Sequence, residues 1–289
     1  MKWQGQRESE NVRDVRGAGG GRGLSGGRSI GIGSVVVALV AGWIFGVNPL
    51  TVLGLLDGGG STSTPARTQG QAPAANDTSA RFVAAILAST EDVWTENFAS
   101  AGISYRAPQL NIFRGSYPTA CGRGEAAMGP FYCPGDEQVY IDLSFYDTLR
   151  SRLGAPGDFA QAYVIAHEVG HHVQHLLGIS GKVDAMRGRI SRAQQNELSV
   201  RLELQADCYA GLWAAQAKQA KGWLEQGDIE EGLNAASQIG DDALQRRSTG
   251  TVQPESFTHG SSAQRVEWFK RGMAAGTMSD CNTFDARPR

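Results

Sequence analysis

The sequence predicts an α+β fold in a single helix-dominated domain with a small β-sheet, preceded by one transmembrane helix. Three observations support this fold class: long segments with helical periodicity, two short strand-like pieces, and one uncharged apolar run near the start of the chain. The length of 289 residues is compatible with one large domain. Because the net charge is only −2, no overall field favours nucleic acid, and we expect no nucleic-acid partner.

The first part of the chain divides into three segments. Residues 1–29 are rich in glycine and arginine and predict a flexible basic tail. Residues 30–56 are apolar, and the uncharged stretch 30–47 rises about 27 Å as a helix, near the lower limit for crossing a bilayer. Residues 57–77 are mainly Gly, Ser, Thr, Pro and Gln, which is typical of a linker. We therefore expect the folded domain over residues 78–289.

The apolar run also determines the expected location. A cleaved signal peptide is the alternative interpretation, but the region before the run would be unusually long. The first basic residue after the run is Arg67. The positive-inside rule therefore predicts a single-pass protein of the cytoplasmic membrane, with residues 1–29 in the cytoplasm and the folded domain periplasmic or extracellular.

Apolar spacing and capping residues predict six helices after the linker. They cover residues 81–101, 144–154, 158–178, 194–221, 228–240 and 261–276. Two short strands are expected at 109–113 and 139–142, on either side of a loop rich in glycine and proline.

Two histidines on helix 158–178 have the spacing of a metal site. His167 and His171 are four residues apart, so both imidazoles project from one face and can reach a single Zn²⁺. Glu168 is rotated by about 100° from His167, where it can reach a water on the metal without competing as a ligand. The flanking residues are apolar, which favours a metal site over a buried helix with incidental histidines.

A third ligand has to come from another element. Gln174 and Leu177 stand where the metzincin pattern needs glycine and histidine, so that pattern is excluded. The gluzincin pattern needs a carboxylate on a later helix, and Glu203 and Asp207 share one face of helix 194–221. We predict that Glu203 binds the metal and that Asp207 accepts a hydrogen bond from a ligating imidazole.

His259 is the one histidine of the sequence outside helix 158–178. It precedes a helix start, a position from which it could stabilise the oxyanion of a tetrahedral intermediate. A capping or surface role fits equally well, and Tyr140 and Tyr209 are alternative donors. His172 points to a different face of the helix, and His175 lies another turn along, too far to share a metal easily with both His167 and His171. We expect both to be core or surface histidines.

None of the four cysteines forms a CxxC pair, so a thiolate zinc site has no support. Their even number is compatible with two disulfides in an oxidising compartment. Cys121 and Cys133 bracket a short loop, and its closure would contribute about 2–3 kcal/mol. That pairing leaves Cys208 and Cys281, although four cysteines allow three connectivities.

The run His167-Glu-x-x-His171 together with Glu203-Leu-Gln-Ala-Asp207-Cys-Tyr-Ala-Gly resembles the neutral zinc metallopeptidase family of bacterial envelope proteins. Further matching pieces are Cys-Gly at 121–122, Phe-Tyr-Cys-Pro at 131–134, Val-Tyr-Ile-Asp at 139–142 and Thr-His-Gly-Ser-Ser at 258–262. The resemblance covers about residues 80–284, and a more distant one to the thermolysin-like gluzincins follows the same scheme. It implies a zincin-like fold, one zinc ion per chain and a protein or peptide substrate aligned along strand 139–142 as an edge strand.

Together these features predict a membrane-anchored zinc endopeptidase. His167, His171 and Glu203 bind the metal, and Glu168 is the general base. The alternative is a catalytically silent, zinc-stabilised module that binds envelope partners. A zinc hydrolase acting on a non-peptide amide shares the same site residues.

Overall fold

The structure, a computed structural model, describes residues 1–17, 70–126 and 129–285. The predicted anchor at 30–56 and residues 57–69 of the predicted linker lie outside these residues. Within the described ranges, no helix has the length and apolar character needed to cross a membrane.

A four-stranded sheet forms one layer of the fold. In spatial order its strands are Val12–Asp14 (β1), Gln109–Phe113 (β2), Gln138–Asp142 (β6) and Phe131–Cys133 (β5). The first three are parallel, and β5 runs antiparallel to β6. A separate antiparallel hairpin joins Ser116–Thr119 (β3) to Gly122–Glu125 (β4).

The edge of this sheet differs from the predicted one. Residues 139–142 belong to β6, which pairs with β2 on one side and with β5 on the other. The prediction of an edge strand there is wrong, and β5 occupies that edge. The sequence did not reveal β5 because three residues inside a loop rich in glycine and proline are too short to show an alternating pattern.

Helices form the rest of the domain, and the six predicted ones are all present. The described helices are Thr78–Ser100 (α1), Ser144–Ser151 (α2), Asp158–Leu176 (α3), Ile179–Asp184 (α4), Arg192–Lys221 (α5), Asp228–Gln238 (α6), Asp241–Thr249 (α7) and Ser262–Ala274 (α8). Of these, α4 and α7 were not predicted. Ser191 and Ser261 cap α5 and α8 in capping boxes with Gln194 and Gln264. The structure confirms a helix-rich α+β fold.

Glycines allow α5 to pack unusually close to its two neighbours. A Cβ on Gly170 of α3 would lie 3.1 Å from the Cα of Ala206, and a Cβ on Gly272 of α8 would lie 1.9 Å from the carbonyl oxygen of Cys208. At both crossings the space of a side chain is taken by the backbone of α5. These contacts hold the middle of α5 between α3 and α8.

We expect Gly272→Ala to destabilise the protein by about 3 kcal/mol or more, at the upper end of overpacking costs, because backbone rather than a flexible side chain stands in the way. Urea unfolding at a fixed zinc concentration measures this. Gly276→Ala is the matched control, since its Cβ would meet only Asp280, at 3.9 Å. Equal midpoints for the two variants would show that the α5–α8 crossing can relax.

The start of the chain is part of the folded domain. Residues 1–17 were predicted to belong to a flexible tail, but β1 extends the sheet beside β2, and Val12 and Val15 are buried. The prediction is therefore wrong for residues 1–17. It is also wrong for the end of the linker, because Gln71 pairs with Asp14. Sequence periodicity could not show these contacts, since their partners come together only in the folded domain.

Two disulfides are present, Cys121–Cys133 and Cys208–Cys281. The first ties the β3–β4 hairpin to the edge strand β5, and the second ties α5 to the end of the described chain. The expectation of two disulfides is confirmed, and of the three connectivities that the sequence left open the structure contains this one.

Candidate metal centre

The side chains of His167, His171 and Glu203 meet where α3 crosses α5, as predicted. Each offers one ligand atom, and these atoms all lie within 4.8 Å of one another. The Nε2 atom of His167 is 3.1 Å from Glu203 Oε2, and the Nε2 atom of His171 is 3.4 Å from Glu203 Oε1. Two atoms bound tetrahedrally to one zinc at about 2.1 Å lie roughly 3.4 Å apart, so the set fits this ion.

The close crossing brings these three residues together. Gly170 lies between the two histidines in sequence, and Ala206 lies between Glu203 and Asp207. Because Gly170 has no side chain, the two helices approach until Glu203 faces both imidazoles. The glycine in His-Glu-Val-Gly-His therefore contributes to the site through packing.

Asp207 holds the first histidine in place, as predicted. Its Oδ1 atom accepts a hydrogen bond from His167 Nδ1 at 2.9 Å, which leaves Nε2 directed at Glu203. Asp207 is fully buried. Burial would raise the pKa of its carboxyl group, but the charges of Arg265 and His167 lower it, so the carboxylate stays ionised.

Arg265 of α8 and Tyr163 of α3 complete the surroundings of Asp207. The guanidinium donates to both carboxylate oxygens, from Nε at 2.8 Å and from Nη2 at 2.9 Å. The Tyr163 hydroxyl donates to the same carboxylate. Sequence reasoning missed both residues. Tyr163 had one available signal, its position one turn before His167, whereas Arg265 sits in an ordinary amphipathic helix far along the chain.

We expect Arg265→Met to weaken zinc binding by about 10- to 100-fold, because Asp207 loses the cation that fixes it and His167 loses its orientation. Removing one partner of a buried ion pair should also lower the free energy of unfolding by about 3–5 kcal/mol. Competition with a chromophoric chelator gives the zinc affinity. Lys270→Met, on the same helix and exposed, is the control. Equal zinc affinities in the two variants would show that Arg265 does not support the metal site.

A second chain of hydrogen bonds orients His171. Its Nδ1 atom lies 2.9 Å from Gln174 Oε1, and Gln174 Nε2 donates to the carbonyl oxygen of Leu202 at 2.7 Å. Gln205 accepts another bond from Gln174 and donates to the carbonyl oxygen of Cys281. Gln174, which excluded the metzincin pattern, thus supports the second imidazole, and the Cys208–Cys281 disulfide stands directly behind it.

Glu168 is buried beside the three ligands without belonging to their set. The backbone of Tyr132 on β5 lies beside its carboxylate. Burial raises the pKa of Glu168, and the charges of His167 and His171 oppose this increase. A carboxylate with a raised pKa next to a metal site is suited to accept and return a proton near neutral pH.

His259 also lies near this site, close enough for its charge to act on Glu203. Three consecutive backbone N–H groups, of Thr258, His259 and Gly260, donate to Asp241 Oδ2 at 2.6 to 3.0 Å. The imidazole Nδ1 is 3.2 Å from Asp241 Oδ1. Burial lowers the pKa of His259, but the charges of Glu203 and Asp241 outweigh it and the pKa is raised. Asp241, at the start of the unpredicted α7, was missed.

The other candidate donors lie elsewhere. The Tyr140 hydroxyl donates to Asp136 at 2.8 Å, and Tyr209 is buried against Trp94 with ring centroids 5.3 Å apart. His172 is buried and bonded to the Tyr132 hydroxyl and to the backbone, while His175 lies near Glu137 on the surface side. His172 is therefore a core histidine and His175 lies nearer the surface, as expected for the two.

Fold and site together define a protein in which two histidines and one glutamate on crossed helices could hold one metal ion, with a further buried carboxylate beside them. The chain belongs to the family described as "Putative neutral zinc metallopeptidase", whose model matches residues 1–284. This confirms the resemblance, and the family implies zinc and supports hydrolysis of peptide bonds.

Two relatives carry no described activity. The uncharacterized protein YpfJ of Escherichia coli (strain K12) is 51% identical over 291 residues, covering 98% of this chain and 99% of the relative. The uncharacterized protein Mb2605 of Mycobacterium bovis is 43% identical over 192 residues, covering 63% of this chain and 64% of the relative. No solved structure matches.

Proposed function

We propose that this protein is a zinc-dependent endopeptidase. The observation that carries the proposal is the buried Glu168, which lies beside the cluster of His167, His171 and Glu203 but contributes no ligand atom to it. A site that only stabilises the fold has no use for a base at that position. When bound at such a site, zinc acts as a Lewis acid that activates a water and polarises a carbonyl group.

The residues of the chain perform the remaining steps. Glu168 accepts the proton of the attacking water at its carboxylate and then gives it to the nitrogen of the departing amine. We expect the Tyr132 N–H, which lies beside the carboxylate, to help orient it during both transfers. His259 donates a hydrogen bond to the carbonyl oxygen, where negative charge develops.

The edge strand β5 is the surface that we propose for the substrate backbone. It is the antiparallel edge of the sheet, and Tyr132 on it contacts Glu168 through its backbone and His172 through its hydroxyl. An extended peptide added to this edge would pass directly by the catalytic carboxylate, with affinity from main-chain hydrogen bonds. The parallel strands, the antiparallel edge and the crossed helices support a zincin-like interpretation of the fold.

The test of the peptidase proposal is the appearance of new N-termini in an unfolded protein incubated with the zinc-loaded full chain. We expect internal cleavage by the wild-type protein and none with Glu168→Gln. Non-peptide amides are tested in parallel. Hydrolysis confined to these would contradict peptide specificity, and an inactive protein that unfolds without zinc would favour the silent, zinc-stabilised binding module.

The ion pair of His259 and Asp241 predicts a pH effect. Protonated His259 is the donor, so kcat/KM should fall as the pH rises through its raised pKa. Asp241→Asn removes one of the charges that raise this pKa, so we expect the alkaline limb of the kcat/KM profile to move to lower pH. The acid limb, which reports Glu168, should stay in place.

The matching variant His259→Ala should lower kcat by about 10²- to 10³-fold and lose this alkaline limb altogether. Circular dichroism shows whether Asp241→Asn keeps the loop that it caps. A folded Asp241→Asn protein with an unchanged alkaline limb contradicts the assignment of His259 as the donor.

The compartment and the anchor stay proposals. Both disulfides favour an oxidising compartment outside the cytoplasm for the metal centre. Attachment to the membrane is proposed from the apolar residues 30–56, which lie outside the described ranges.

A further inference from the structure

Residues 1–17, the N-terminal segment, form part of the central sheet. β1 pairs with β2 in the register Val12–Leu110 and Asp14–Ile112. Backbone hydrogen bonds to β2 continue this pairing just beyond each end of β1. Leu110 N donates to Asn11 O at 2.8 Å, and Val15 N donates to Ile112 O at 2.9 Å. The segment thus supplies a strand to the same sheet that carries β5.

The segment also satisfies a buried charge. Glu91 of α1 is 8% exposed, and it accepts hydrogen bonds from the side chains of Arg7, Ser9 and Asn11. An ionised carboxylate at this depth without these donors would be costly. Trp3 adds an edge-to-face contact with Phe82, with ring centroids 5.4 Å apart. The N-terminal segment therefore contacts α1 at several positions between residues 3 and 11.

Residues shortly before position 18 and shortly after position 69 are in contact. Asp14 and Gln71 exchange backbone hydrogen bonds of 2.7 and 3.2 Å. Arg16 bridges Asp14 and Asp77, the residue that caps α1. A Cβ on Gly70 would lie 2.8 Å from the side chain of Val15, so the backbone there packs tightly on the segment. Residues 17 and 70 thus both border this contact.

We propose that the N-terminal segment lies in the same compartment as the metal centre, on the same side of any membrane that the chain contacts. Neighbouring strands are about 4.8 Å apart, whereas the hydrocarbon core of a bilayer is about 30 Å thick. β1 and β2 therefore cannot pair across a membrane. The same limit holds if the segment docks on a second copy of the chain.

This corrects the expected topology. A cytoplasmic N-terminus and an external catalytic domain, linked by a single crossing, cannot coexist with β1 in the sheet. If the disulfide-bonded domain is external, the N-terminal segment is external too. The inference depends on the contacts of the segment alone and holds whether or not the protein is a peptidase.

Thiol labelling of the full-length chain tests the proposal. All four native cysteines are in disulfides, so single cysteines can be added at the exposed positions Gln4 and Arg189. Spheroplasts expressing Gln4→Cys or Arg189→Cys are treated with a membrane-impermeant maleimide before and after lysis, with the unsubstituted protein as the control. We expect the two sites to behave alike, either both labelled in intact spheroplasts or both only after lysis, with extents within about twofold. One site labelled in intact spheroplasts and the other only after lysis overturns the proposal.

A cross-link shows whether the segment is docked in the membrane preparation. Glu8 and Arg81 form an exposed ion pair with 2.8 Å between Glu8 Oε1 and Arg81 Nη2. A short bis-maleimide should join the double variant Glu8→Cys/Arg81→Cys, within one chain or between two, and neither single variant alone. Absence of any cross-link, although both thiols react with monofunctional maleimide, contradicts the docking.

Discussion

The zinc-loaded Glu168→Gln variant is expected to lose about 10²- to 10⁴-fold in kcat while retaining its zinc. Glutamine has the size of glutamate, and its side-chain oxygen can face the neighbouring Tyr132 backbone as the carboxylate does, so the site should keep its shape. It cannot take a proton from the attacking water. The ligand atoms of His167, His171 and Glu203 are untouched, so zinc content should not change.

The measurement combines single-turnover cleavage of an unfolded protein with metal analysis of the same sample. Glu267→Gln, an exposed position on α8, is the matched control and should match the wild type in both readings. Activity equal to that of the wild type would remove Glu168 from the mechanism. Loss of zinc in step with activity would show that the carboxylate supports the metal rather than the proton transfer.

The Glu203→Gln variant is expected to bind zinc at least about 100-fold more weakly, which exceeds the loss for most supporting residues. Burial would raise the pKa of Glu203, but the charges of His171 and His259 and the bonds to both metal-site imidazoles lower it well below its usual range. The chain thus maintains a buried carboxylate facing two imidazoles. A neutral amide supplies neither the charge nor an equivalent ligand.

The control for Glu203 is Glu197→Gln, six residues earlier on α5 and paired with Arg201 at the surface. Asp207→Asn provides a comparison within the same site. Asp207 accepts a hydrogen bond from a ligating imidazole, and loss of such a partner should weaken zinc binding by about 10- to 100-fold. If Asp207→Asn weakened zinc binding more than Glu203→Gln, the two carboxylates would have been assigned the wrong roles.

The sequence alone predicted the ligands because helical spacing is local. His167 and His171 must share a face at a separation of four residues, and so must Glu203 and Asp207. The predicted helix start at Ser261 likewise depends on Gln264, only three positions later. Only the meeting of the two helices required a tertiary assumption, and the structure confirms it through the contact of Gly170 with Ala206.

The residues that escaped prediction act over long separations or in very short elements. Arg265 contacts Asp207 from 58 residues away, and its sequence neighbourhood differs little from that of an exposed helix. β1 and β5 each contain three residues, too few for a periodic signal. The N-terminal segment is polar because its partner is the buried Glu91, so its composition suggested a solvated tail. In each case the role of the residue depends on a contact with a residue distant in sequence, and that contact forms only in the folded chain.

The most direct test of the central claim is zinc K-edge X-ray absorption on the full-length protein loaded with one equivalent of zinc. We expect nitrogen and oxygen ligands at about 2.0–2.2 Å, with the scattering pattern of two imidazoles and no sulfur at about 2.3 Å. In His171→Ala the spectrum should show one imidazole ligand instead of two. A sulfur ligand, or a spectrum unchanged by His171→Ala, would contradict a metal centre built from His167, His171 and Glu203.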